Sequence, residues 1–130
     1  MYEQQLMTDE GYLNNSKGLR LTWLKQKLNG LANTILDVRL QTMGMTDQQA
    51  HDLMINDTFQ EREEATDKLQ RAQLSSCQLL TYYAGLRGWL QAREQYKRAR
   101  GTAFTLRDFH DRALRESGVP LPELEKLLLQ

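Results

Sequence analysis

The sequence has 130 residues, of which 40% are hydrophobic and 26% charged, a balance that suits a folded protein and is too apolar for disorder. Lys plus Arg (17) equals Asp plus Glu (17), and the formal charge is zero, which excludes the cationic excess of a general nucleic-acid binder. The single cysteine excludes an internal disulfide and a Cys-rich zinc site, and no apolar run nears the roughly 20 residues that a membrane span needs.

The periodic segments all have helical spacing. Leu21, Leu24, Leu28, Leu31, Ile35 and Val38 recur at three and four, the pattern of a core-facing seam on one long helix between Gly18 and Gly44. Gln26, Gly30, Asn33, Asp37 and Gln41 share another face of it and read as its wet side. Gly30, inside the helix, costs about 1 kcal/mol against Ala, so close packing is expected there. Thr46-Asp-Gln-Gln49 and Thr58-Phe-Gln-Glu61 fit the capping box at a helix start. They bracket a short helix carrying Ala50, Leu53 and Met54, and the second opens a more polar helix whose first-turn acids suit the positive end of the helix dipole.

Ser75 or Ser76 marks the next start, for a helix from about Gln78 to Arg100 that Gly101 ends. Arg93, Lys97, Arg98 and Arg100 near its C-terminus suit the helix dipole as well as they would a nucleic-acid contact. Thr105 caps a helix through Phe109, Ala113 and Leu114 towards Gly118. Pro122 opens a last helix from Leu124 to Leu129. No alternating run or hairpin turn supports a strand. The sequence therefore predicts an all-α protein, a bundle of about six or seven helices without a sheet, with residues 1–130 as one helical domain.

Candidate chemistry is sparse. His51 and His110 are far apart in the chain and lie in no metal-binding pair; His51 reads as a surface residue. Cys77 has no sequence-adjacent base and reads as a buried packing thiol. Gln78, Tyr82, Gly85 and Trp89 share one helix face. Thr81, Ala84, Gly85 and Gly88 form a small-residue strip that would let a neighbouring helix approach closely. This face is either a packing surface or part of a site.

The order of these pieces resembles the C-terminal end of the bacterial "domain of unknown function 885" family. The resemblance runs through Gly18-Leu-Arg-Leu-Thr-Trp-Leu to Met54, then Gln78, Tyr82 and Gly85, then Leu106-Arg-Asp-Phe-His-Asp111. The opening Tyr2-Glu-Gln-Gln-Leu-Met7 is similar to the tail of a family helix beginning Glu-Gly-Trp-Ala. That family resembles helical zinc metallopeptidases, whose metal-binding helix and further glutamate would both precede residue 1. The resemblance implies that the chain is the C-terminal fragment of a larger protein. It would contain no metal or cofactor site itself, with zinc expected in the full-length parent. It implies Tyr82 as an oxyanion or substrate donor, with Gln78, Arg71 and Asp37 as substrate-binding groups. Asp37 matches a family Asp, whereas Gln4 stands at a usually acidic position and Gln41 at one often occupied by His. Arg107 and His110 also fall in a family motif. The implied partners are the missing N-terminal half of the same protein and a peptide substrate, with no nucleic acid and no membrane span. By itself the fragment is expected to be inactive and to associate with itself through apolar surface. Two alternatives stand beside this reading: a stand-alone helical interaction module, and a family member that keeps the fold without the chemistry.

Overall fold

The computed structural model describes residues 1–116 and 118–130. Its regular structure is helical, with eight α-helices and no strand among the described residues. They are α1 (Tyr2–Asp9), α2 (Tyr12–Asn15), α3 (Lys17–Thr42), α4 (Asp47–Asp52), α5 (Arg62–Leu74), α6 (Thr81–Arg100), α7 (Leu106–Arg115) and α8 (Leu121–Leu128). The expected count of six or seven grows to eight through α2, a single turn in which Leu13 (φ 52°) and Asn14 (φ 55°) wind left-handed. Gly11 (φ 78°) leads into it, a backbone reversal that costs glycine no Cβ clash. The chain divides into two compact units, residues 1–84 and 85–130.

Local signals set most helix ends. Ser16 accepts the Leu19 N–H at the start of α3, and Gly44 (φ 62°) follows its end. The box at Thr46 closes in both directions: Gln49 N–H donates to Thr46 Oγ1 at 3.2 Å, and Thr46 N–H donates to Gln49 Oε1 at 3.0 Å. The second expected box does not form. Thr58 instead terminates the preceding segment, a π-turn over Leu53–Asp57, by donating its hydroxyl to the Met54 carbonyl at 3.0 Å. Its oxygen also accepts the buried Gln60 amide at 2.8 Å, and Phe59 (φ 56°) turns the chain. Glu61 is then the N-cap of α5, without a side-chain cap. A hydroxyl engaged on carbonyls behind it is not available to cap the amides ahead.

The core of the first unit is Leu36, Ala50, Met54, Ala65, Leu69, Ala72 and Leu79, with Leu40, Met45 and Ile55 against it. The orientation of α3 corrects the expectation from its sequence. The buried positions are Gly30, Ala32, Leu36 and Asp37, on the side of the amide stripe. Of the expected core seam, Leu21, Leu24, Leu28, Ile35 and Val38 are between 36% and 69% exposed, and Leu31 is half-buried. The helix has apolar residues on both sides, and small Gly30 and Ala32 let neighbours close in. A Cβ on Gly30 would lie 2.7 Å from the Met1 methyl carbon.

In the second unit Phe109 is fully buried, with its ring edge-on to Trp89 at 6.1 Å and tilted to Tyr96 at 5.9 Å. Thr105 caps α7 by accepting the Asp108 N–H at 3.1 Å. The helix expected to run towards Gly118 ends at Arg115; residue 117 on its expected course lies outside the described residues. Pro120 is the N-cap of α8, which begins at Leu121, one residue before the Pro122 expected to open it. One member of the small-residue strip acts as a packing notch: Gly88 is so close to Leu121 that a Cβ would meet its Cδ1 at 2.5 Å, whereas a Cβ on Gly85 would meet nothing within 4 Å.

Tyr96 donates its buried hydroxyl to Asp108, whose other oxygen accepts Arg112 Nε at 3.1 Å. Burial first, and then this bond, raises the Tyr96 phenol above its ordinary pKa. The bond from Tyr96, joined by that from Arg112, holds the Asp108 carboxyl below the usual carboxylate range. The signs fix the pH response. The Asp108 contribution is present above about pH 4 and is lost as pH falls through the lowered folded value. The Tyr96 contribution is present below about pH 10 and declines as pH rises towards the raised folded value. Urea midpoints measured from pH 2 to 11 should therefore form a plateau with a fall at each end. Tyr96→Phe should remove part of the alkaline fall and shrink the acid fall, because Asp108 then keeps a smaller downward shift. A variant profile superimposable on the parent one would show that this bond makes no difference to folding.

Candidate functional site

Within the first unit, α1, α3, α5 and the start of α6 enclose a cleft of about 480 Å³. The sequence places an unusual density of carboxamides on it. Gln26, Asn29 and Asn33 of α3 follow one another at three and four, so one helix face presents all three to the cleft. Gln4 of α1 adds a fourth, and Glu64, Asp67, Lys68 and Arg71 of α5 supply charge on another side. Tyr82, half exposed, stands at the α6 side.

Each polar group differs in how far it is already committed. Asn29 Oδ1 and Asn33 Oδ1 are buried acceptors without a partner among the described residues, an arrangement that carries a desolvation cost. Lys68 is engaged by Gln60 and lies 3.5 Å from Glu64 Oε1. Arg71 donates through Nη2 to Gln78 Oε1 at 3.4 Å; a guanidinium has five N–H donors. The Tyr82 hydroxyl makes no hydrogen bond to another described residue. The wall thus mixes donors and acceptors, as a peptide main chain does.

Of the residues expected from the sequence, Arg71 and Tyr82 meet on this cleft, and Gln78 is tied to Arg71 at its margin. Asp37 lies beneath it, 2% exposed. Its Oδ1 accepts the Cys77 N–H at 3.1 Å, and its Oδ2 accepts those of Leu79 at 2.9 Å and Leu80 at 3.2 Å. Negative charge at these free amides is where the helix dipole favours it. One turn further along α3, Gln41 Nε2 donates to the carbonyls of Ala72 at 3.1 Å and Ser75 at 2.9 Å. The two side chains therefore grip both ends of the α5–α6 connection, each with the polarity that end lacks. This positions Gln78 and Tyr82.

The expected helix start near Gln78 moves to Thr81, because residues 77–80 turn to bring their amides onto Asp37. Cys77, in that turn with φ 60°, is exposed, which corrects its reading as a buried thiol. His51 is half-buried and its Nδ1 has no partner among the described residues; it lines a separate hollow with Asp52 and Arg62. His110 lies against the Phe109 ring at 5.2 Å, and Arg107 forms an exposed i,i+4 pair with Asp111 at 3.6 Å. Among the described residues no three His, Cys, Asp or Glu side chains converge to hold a metal, so the residues present do not fit a zinc site. No helix among them is long and apolar enough to cross a membrane. Asn29 was not singled out in the sequence; its signal was its place three after Gln26 and four before Asn33.

The family described as bacterial protein of unknown function (DUF885) matches residues 1–128. A solved structure, described as "a putative lipoprotein of unknown function from Shewanella oneidensis", is 39% identical with a TM-score of 0.94. The match covers 99% of this chain and 24% of that one, so the chain spans about a quarter of the solved protein. No curated protein matches.

Proposed function

Because the chain belongs to the DUF885 family of bacterial proteins of unknown function, we propose that it is the C-terminal segment of a larger polypeptide and forms one wall of its substrate cleft. The observation that carries this reading is the convergence of Arg71, Tyr82 and the Gln26–Asn29–Asn33 face on one open cleft. The larger polypeptide is read as a hydrolase of peptides, from the resemblance to zinc metallopeptidases. Its zinc ligands would lie outside these 130 residues. The cleft is consistent with a peptide because the carboxamides can donate to main-chain carbonyls and accept from main-chain N–H groups.

In this reading Tyr82 donates its hydroxyl to the oxyanion that develops on the scissile carbonyl, or to a substrate carboxylate. Arg71, steadied by Gln78, orients the substrate by charge and hydrogen bonds. Asp37 is a positioning residue, since its oxygens already serve three backbone amides. For the full-length protein, Tyr82→Phe is expected to lower kcat on a mixed peptide library by about 100-fold if the hydroxyl faces the oxyanion. Metal content should stay normal. An unchanged kcat and KM would remove Tyr82 from the mechanism, and a native polypeptide of only 15.2 kDa would remove the larger-protein reading.

A further inference from the structure

The side of α3 turned away from the core has no role in the cleft. Leu21, Leu24, Leu28, Ile35 and Val38 fall within a sector of about 100° along roughly 25 Å of helix, and all five are exposed. Spacings of three and four are those with which helices interdigitate their side chains. An apolar stripe of this length is far more than the scattered exposed leucines of an ordinary surface. A helix that is apolar on two opposite sides is an interior element, built to be packed on both.

Charge narrows what covers it. Lys17, Arg20, Lys25 and Arg39 are exposed on α3, and none pairs with a carboxylate among the described residues. The one acid of the helix, Asp37, is buried and used. The whole chain is neutral, whereas α3 carries five Lys and Arg against its one acid. A second copy laid stripe to stripe would set like charges against each other, which disfavours it. Most of the solved chain that this segment matches lies outside the match, and supplies length enough for other helices.

We infer that the outward stripe of α3 is the seat of another helix of the same polypeptide, one that carries apolar residues at spacings of three and four between acidic flanks. This rests on the reading of the chain as a segment of a larger protein. The partner helix covers the leucines, and its acids meet the unpaired cations at the rim. The cleft and the seat lie on opposite sides of α3, so one helix ties the substrate wall to the rest of the protein.

The test uses the full-length protein with a photo-cross-linking phenylalanine analogue at Leu24 or at Leu28. The expected product is an intramolecular cross-link to a helix outside residues 1–130 whose apolar residues are flanked by Asp or Glu. In parallel, Leu28→Glu should lower the Tm by about 5 °C or more, since it buries a charge against apolar side chains. Cross-links joining two copies would overturn the inference in favour of self-association. No cross-link from either position, with an unchanged Tm for Leu28→Glu, would overturn it in favour of an open surface. Either result in a long native polypeptide leaves the substrate-cleft reading standing, whereas a native chain of 15.2 kDa removes both.

Discussion

Asp37→Ala is expected to destabilise the fold by about 3–5 kcal/mol, the loss of a charged hydrogen-bonding group from a largely buried position. Three backbone amides would lose their acceptor at once: Cys77, Leu79 and Leu80, at 2.9 to 3.2 Å. Hydrogen bonds to a charged group contribute roughly 1.5–3 kcal/mol each, but three on one carboxylate do not add independently. Water can reach part of the Cys77 end, while Leu79 is buried. Asp37→Asn keeps one acceptor oxygen and replaces the other with a donor facing N–H groups, so it should fall between the parent and the alanine variant. The urea midpoint at constant m-value measures the change. An alanine variant within about 1 kcal/mol of the parent would show that these amides find water instead.

Phe109→Ala is expected to cost a similar amount, about 3–5 kcal/mol, through lost burial and the cavity left behind. The ring has no exposed surface and touches the aromatic faces of Trp89 and Tyr96. Edge-to-face partners add interaction beyond buried area. Phe109→Leu, which retains much of the volume, should lose clearly less than the alanine variant. The alanine variant should also weaken the near-UV circular dichroism, because Trp89 loses the ring that fixes its surroundings. Equal stability of the two variants would mean that the site collapses around the smaller side chain.

Helix content was legible because its signals are local. The Thr46–Gln49 box needs only four consecutive residues, and it forms as read. Thr58 shows where such a motif becomes ambiguous: the same hydroxyl can serve the helix behind it, and here the π-turn takes it. The side on which α3 packs was not legible. Periodicity reports that an apolar stripe exists, not which neighbour it meets, and a helix with two neighbours defeats the rule that the more apolar side faces the nearest core. Leu36, Ala32 and Leu40 among the amides were the overlooked half of that pattern.

Within the cleft, Arg71 and Tyr82 were reached through resemblance, and the amide stripe through spacing. The grip of Asp37 and Gln41 on the α5–α6 connection was hidden, since its partners lie 31 to 43 positions away along the chain. Cys77 shows the same limit. Its residue type favours burial, but the amides of its turn are drawn to Asp37, and the thiol faces outward.

The placing of Asp37 and Gln41 also constrains how this sequence can change in length. They sit four residues apart on one helix, and one holds amides while the other holds carbonyls. A single residue inserted between them would rotate one by about 100° relative to the other, so only one of the two could still reach its end of the connection. Added residues at the exposed α3–α4 turn around Gly44 would leave both in place. The stretch from 37 to 41 is thus locked in register, and length variation in this part of the protein belongs at its turns.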